Sequence, residues 1–146
     1  MFQGNCPTRL DEKGRLKIPA NFKHVIDKEC DGQFYITSTD GAVIKVYPRA
    51  AWEQFKSKVL NGAGSYQKQQ KFLELTSYYG QTVEMDTQGR LTVADWLREK
   101  FRLAGDVYIL GMTDHMQIRL KDELDQKMAS AAVTLDEMDE LMRPKG

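Results

Sequence analysis

The residues best suited to chemistry in this chain are cations gathered around two matching turns. Asp11-Glu12-Lys13-Gly14-Arg15 and Asp86-Thr87-Gln88-Gly89-Arg90 share the spacing Asp-x-x-Gly-Arg. In a turn of this kind the aspartate accepts hydrogen bonds from backbone amides just ahead, glycine takes a positive φ, and arginine closes against the carboxylate. Asp11, Gly14, Asp86, Gly89 and Arg90 therefore read as a structural turn motif. Nothing in that design requires Lys13 at the tip, or Lys17 on the outward face beside Arg15. Arg9, Lys13, Arg15 and Lys17 are thus candidates for contact with DNA. Arginine offers a planar fork that matches guanine O6 and N7, whereas lysine supplies a mobile point charge for phosphate. The second turn has Gln88 and Thr92 where the first has Lys13 and Lys17, so the first is expected to meet DNA and the second to serve assembly.

Charge is distributed to suit that reading. Basic and acidic residues number 21 each, so no global excess advertises a nucleic-acid partner. Arg9 to Lys23 nevertheless carries a net charge of plus three, Glu84 to Lys100 minus one, and Lys121 to Gly146 minus three. One turn's affinity would be small at cellular salt, because each neutralised phosphate adds a single increment of counterion release. Several copies are needed, and self-association supplies them through effective concentration.

Other chemistries find little support. The sequence has no Gly-rich phosphate loop and no His-x-x-x-His pair, and His24 and His115 read as surface or turn residues. Asp11 and Asp86 each have an arginine four residues on, which keeps a carboxylate ionised and occupied. No catalytic residue, cofactor or small-molecule substrate is expected. Cys6 and Cys30 lack the neighbouring cysteines of a metal pair and are expected to be reduced thiols, with no metal bound. No run approaches the roughly 18 apolar residues of a membrane span, and Met1-Phe2-Gln3-Gly4 lacks a secretory n-region, so a cytoplasmic location is expected.

The elements that must position the turns come as a repeat. Residues 11–23 align without gaps on 86–98, at an offset of 75. Gln33-Phe34-Tyr35-Ile36 matches Val107-Tyr108-Ile109-Leu110 in character, and Val43-Ile44-Lys45-Val46 matches Gln117-Ile118-Arg119-Leu120. Each unit reads as strand, turn, strand, short helix and a second hairpin. Leu16 and Ile18 alternate with Arg15 and Lys17, as Leu91 and Val93 do with Arg90 and Thr92, so one face goes inward and the other outward. Pro19 is expected in a first helical turn, followed by Phe22, Val25 and Ile26 at helical spacing, and Leu97 and Phe101 repeat the stripe. Asp40-Gly41 signals a two-residue hairpin turn more strongly than Thr113-Asp114-His115 does.

Helices fill the remainder. Trp52, Phe55 and Val59 share one helical face, Asn61–Ser65 is a loop, and Tyr66 to Thr76 predicts a second helix. Trp52, Phe55, Tyr78 and Tyr79 are expected in the core or at subunit contacts rather than in a base-stacking platform. Leu120 to Ala132 predicts another helix, Thr134-Leu135-Asp136-Glu137 has capping-box spacing for a last acidic one, and residues 143–146 form a frayed end. The class is α+β: two tandem β-hairpin units forming a pseudo-two-fold barrel, with an inserted helical hairpin and C-terminal helices. The expected division is 5–50 for the first repeat, 51–78 for a helical connector, 79–122 for the second repeat and 123–146 for a helical tail.

At these residues the chain resembles the MraZ family of bacterial regulators, which contain two AbrB-like swapped-hairpin repeats. The resemblance runs from Met1-Phe2-x-Gly4 through Leu10-Asp11-x-Lys13-Gly14-Arg15-Leu16-x-Ile18-Pro19-Ala20, Tyr47-Pro48 and Trp52, to Met85-Asp86-x-x-Gly89-Arg90, Leu110-Gly111 and His115. It implies a ring-like homo-oligomer that binds repeated promoter boxes in double-stranded DNA upstream of its own gene, in the operon for division and cell-wall synthesis, and usually represses or tunes it. Lys13 and Arg15 would be the principal contacts, and the protein would be nucleoid-associated. Ala94, where proline is common, and Gln117-Ile118-Arg119-Leu120 depart from the family pattern. Two other readings remain: an assembly module without DNA, which leaves the basic face from Arg9 to Lys17 unexplained, and an AbrB-like antitoxin, whose short chain would not need a second β unit.

Overall fold

Eight strands of this α+β chain join in one antiparallel sheet, seen in a computed structural model that describes residues 1–145. Gly146, the last residue of the expected frayed end, lies outside the described residues. In the first repeat β1 (Phe2–Leu10) and β2 (Arg15–Lys17) flank the first turn, and α1 (Ala20–Glu29), β3 (Gln33–Thr37) and β4 (Ile44–Pro48) follow. The helical hairpin α2 (Arg49–Leu60) and α3 (Tyr66–Tyr78) separates these from the second repeat: β5 (Gln81–Glu84), β6 (Arg90–Thr92), α4 (Asp95–Phe101), β7 (Gly105–Thr113) and β8 (Met116–Leu120). Helices α5 (Lys121–Met128) and α6 (Leu135–Met142) end the chain.

The strand order β5-β3-β4-β8-β7-β1-β2-β6 interleaves the two repeats. β1 pairs with β7 over nine positions, and β3 pairs with β5. Leu16 lies opposite Leu91 and Ile44 opposite Ile118, so at both places a residue faces its own counterpart and the pseudo-two-fold axis passes between them. The end strands β5 and β6 are drawn together by the second turn, and the Gln81 amide bridges them: its Nε2 donates to Thr92 O and its Oε1 accepts from Ala94 N, both at 2.9 Å. A nearly closed barrel results. Its interior takes Leu16, Ile18, Phe22 and Ile26 from one repeat and Leu91, Val93, Leu97 and Val107 from the other, all buried as the alternation and helical spacing require.

Several local expectations shift. Pro19 is not inside the first turn of α1 but caps it, at φ −61° and ψ 152°, and Ala94 caps α4 at nearly the same angles. The Gln81 bond to Ala94 N explains how that start is held without proline, which has no N–H to donate. The Asp40-Gly41 turn is not a two-residue turn. Asp40 Oδ1 accepts from Ala42 N at 2.8 Å, Val43 N at 3.0 Å and Ser38 Oγ at 3.1 Å, and this carboxylate organises a longer loop across residues 38–43. The tight connection is the other one: Thr113 accepts φ 70° and Met112 N donates to His115 O at 2.8 Å. α3 runs to Tyr78, two residues past the expected Thr76. α5 stops at Met128 because Ala129 to Ala132 are exposed and no packing sustains a further turn.

Aromatic rings seat the helical hairpin on the sheet. Trp52 stacks on Tyr35 at 4.8 Å and on Phe72 at 5.9 Å, and Tyr47 contacts Trp52, Phe55 and His115. Tyr79 packs on Phe101, while Tyr78 stays exposed under Lys100. At the end of α3, Tyr35 Oη and Thr37 Oγ1 both donate to Thr76 O at 2.8 Å. His24 is on the surface, but His115, although in a turn, is buried. Burial pulls its imidazole below the usual histidine range, against the opposing pull of the Asp114 carboxylate 2.7 Å from Nδ1, while Lys45 adds to the depression. Nε2 has no partner among the described residues, which an unprotonated nitrogen tolerates far better than a charged ring would.

A pH dependence follows. Folding disfavours the charged form of His115, so the unfolded chain takes up a proton more readily and stability falls as pH drops below about 6.5. His115→Phe, which keeps the ring against Tyr47, is expected to flatten the loss of urea midpoint between about pH 7 and 5. An unchanged acid limb would assign the effect to another group.

Candidate nucleic-acid interface

Each turn is built around its aspartate. Asp11 Oδ1 accepts from Lys13 N at 3.0 Å and Arg15 N at 2.8 Å, while Oδ2 accepts from Arg15 Nε at 2.6 Å. Asp86 repeats the pattern, with Gln88 N and Arg90 N at 2.9 Å on Oδ1 and Arg90 Nε at 3.0 Å on Oδ2. The arginine backbone amide is the main cause holding each carboxyl below the usual carboxylate range, helped by the arginine side chain and the second amide and opposed by desolvation. Both turns therefore stay closed at neutral pH. Each arginine spends its Nε on the turn, and its terminal amino groups make no hydrogen bond among the described residues.

The register of β2 and β6 decides what those groups share. Arg15 lies across from Thr92, and Lys17 lies across from Arg90. With Leu16 and Leu91 turned inward, Arg15, Lys17 and Arg90 occupy one outward face, and the two turns sit at opposite ends of this strand pair. Lys17 Nζ reaches Gln88 O at 2.9 Å, which ties the first repeat's lysine to the second repeat's turn. Lys13 extends from the tip of the first turn, exposed and without an ion pair among the described residues. Arg9 differs. Its Nη1, a terminal amino group of the kind that Arg15 and Arg90 keep outside their ion pairs, is 2.9 Å from Asp106 on β7.

Two further cations come from the helices. The stem of Lys23 on α1 lies over Gly89, and the guanidinium of Arg98 on α4 lies over Gly14, donating from Nε to Val93 O at 3.0 Å. These residues are separated by the repeat offset of 75, so each turn is braced by the other repeat's helix. The repeat makes a pseudo-two-fold legible, but not that β2 pairs with β6 across it, so Lys23 and Arg98 were not among the expected cations and Arg90 was expected only as part of its turn. No group of three His, Cys, Asp or Glu side chains among the described residues is arranged to hold a metal ion. Cys6 and Cys30 are free thiols. No described helix is long and apolar enough to cross a membrane.

Interleaved hairpin repeats that close into a barrel, with an aspartate-arginine turn at each end of one strand pair, define a tandem AbrB-like protein. The family model described as "MraZ protein, putative antitoxin-like" matches residues 1–74 and 80–142, and the chain belongs to the MraZ family. It is 42% identical over 137 residues to "Transcriptional regulator MraZ" of Acidobacterium capsulatum, covering 94% of both chains. Identity to the protein of the same name from Koribacter versatilis is 41% over 138 residues, again with 94% of both covered, and to that of an Acidovorax species 32% over 133 residues, with 90% covered.

The two glycines should respond differently to a methyl group. Both have positive φ, 81° at Gly14 and 75° at Gly89, where alanine costs about 1–2 kcal/mol. At Gly89 the new Cβ would touch only the Lys23 stem at 3.4 Å, but at Gly14 it would lie 2.5 Å from Val93 O. Gly14→Ala is therefore expected to lower the unfolding free energy more than Gly89→Ala does, as read by urea titration. Equal losses would show that the close approach carries no energy.

Proposed function

We propose that the chain is a transcriptional regulator that binds double-stranded DNA through the outward face of β2 and β6 and the tip of the first turn. The carrying observation is the register that sets Lys17 across from Arg90, with Arg15 beside them on the same face. Like charges opposed across a strand pair weaken a sheet. Arg90 is partly answered by Asp86 and Lys17 by the Gln88 carbonyl, and a polyanion relieves the repulsion that remains. Arg15 and Arg90 are pre-oriented by their aspartates, with planar ends free for base edges or paired phosphate oxygens. Lys13 and Lys17 serve as phosphate contacts, and Arg9, held by Asp106, contributes least. The second turn joins the DNA face through Arg90 rather than serving assembly alone.

Relatives named transcriptional regulators support the regulatory role. By the family resemblance, the DNA consists of repeated promoter boxes upstream of its own gene, in the operon for division and cell-wall synthesis. The effect is repression, exerted in the cytoplasm at the nucleoid. Each subunit offers few contacts, so a homo-oligomeric ring gathers enough of them along the repeats.

On a duplex carrying those repeats, Arg15→Ala is expected to cost about 1–3 kcal/mol of binding by fluorescence anisotropy, with oligomer mass unchanged. Lys17→Ala is expected to weaken all sequences alike and to make the salt slope shallower by about one for each phosphate that goes unneutralised. Binding that ignores added salt would overturn this reading.

A further inference from the structure

A matched pair of backbone bonds ties each turn to the other repeat. Gly14 O accepts from Val93 N at 2.8 Å, and Gly89 O accepts from Ile18 N at 3.0 Å. Ile18 and Val93 correspond at the repeat offset, so by backbone alone the two turns are held alike. The side chains above them break that equivalence. Arg98 Nε donates to Val93 O at 3.0 Å, so Val93 is gripped twice, its N–H by Gly14 and its carbonyl by Arg98. Lys23, at the matching position, sends its Nζ to Asp27 on its own helix at 2.8 Å, and no side chain among the described residues donates to Ile18 O.

The chemistry of the two cations accounts for the difference. A guanidinium is flat and has a donor on its inner nitrogen, so it can lie over a backbone while bonding the carbonyl beside it. An ammonium donates only from its tip, which a stem crossing a glycine carries past that glycine. Gly14 is buried, and a Cβ there would lie 2.8 Å from Arg98 Cζ, so the missing side chain is what admits the guanidinium.

Arg98 is itself badly placed to hold a phosphate. Its side chain is 17% exposed and paired with Asp95. A hollow of about 480 Å³ beside it is lined by Glu12, Asp95 and Glu99 as well as Arg102, so an entering anion would meet three carboxylates. Gly14, by contrast, stands between Lys13 and Arg15, two cations of the proposed DNA face. We propose that Arg98 is a positioning residue for that face: through Val93 and Gly14 it sets where α4 and the first turn meet, and hence where Lys13 and Arg15 point. This rests on the DNA-binding reading and adds that the first turn is aimed from the second repeat by a side chain that does not touch DNA.

The test follows the full chain on the repeat-bearing duplex by fluorescence anisotropy, at a temperature where urea titration shows each variant folded. Arg98→Ala is expected to weaken binding about tenfold, the order of loss when a group that orients a contact residue is removed. The slope of log affinity against log salt should stay at the wild-type value, since no phosphate contact is lost. Arg98→Lys keeps the charge but moves the donor to the tip, and is expected to lose as much; should the alanine variant not fold, the lysine variant carries the test. Amide hydrogen exchange at Val93 should quicken in both, while Ile18 exchanges as before. Lys23→Ala should cost less binding than either. Wild-type affinity in the Arg98 variants, rescue by lysine, or a slope shallower by about one, the mark of a direct phosphate contact, would each overturn the positioning role. If Arg15→Ala still loses binding in that case, the DNA reading stands; a wild-type chain that binds no duplex overturns both.

Discussion

Strand pairing between the repeats is the constraint on which the rest of this structure depends. A two-stranded hairpin on its own leaves one face open and is marginal in water. Here β1 runs alongside β7, β3 alongside β5, and the axial pairs β2–β6 and β4–β8 join residue to counterpart. The apolar faces of both repeats therefore close on one core, with Leu16 beside Leu91 and Ile44 beside Ile118. The same pairing lays the two turns at the ends of a single strand pair. Folding of the barrel and assembly of the cationic face are consequently one event, and disrupting the cross-repeat pairing would remove both.

Duplication left two turns with one design and different surroundings. Both aspartates hold two amides and an arginine Nε, because that geometry is local and needs only four residues of spacing. What lies above each glycine is not local. Arg98 covers Gly14 and is held by Val93 O and by Asp95, whereas the stem of Lys23, its Nζ held by Asp27 at 2.8 Å, covers Gly89.

The helices that follow β4 and β8 diverged further. α2 and α3 meet Tyr35 and Tyr47 with Trp52, Phe55 and Phe72, and this interlocked set of rings pins them to the sheet. α5 has only Leu124 buried, and α6 has nothing. Equivalent exits from the barrel therefore lead to an anchored hairpin at one end and an unanchored amphipathic tail at the other. The difference follows from where the aromatic residues were placed, not from the backbone, which is nearly two-fold.

Much of this was legible in residue order, because it depends on short-range geometry. Alternation predicted which of Arg15, Leu16, Lys17 and Ile18 face inward, the Asp-x-x-Gly-Arg spacing predicted both turns, and the Thr134 to Glu137 interval predicted the capping box. Local strength misled at the second hairpins: Asp40 supplies enough acceptor capacity to order a longer loop, and Thr113 is held at positive φ by the ladder around it. Ala94 looked like a weak helix start until Gln81, 13 residues away, proved to hold its amide. By itself the sequence determined the units, their inward and outward faces and the chemistry of each turn, since those need only neighbours along the chain. Only the tertiary structure decided that Lys17 faces Arg90, that Arg9 is answered by Asp106, and that hairpin and tail leave from opposite ends, because strand register between distant segments is set by the packing of the shared core.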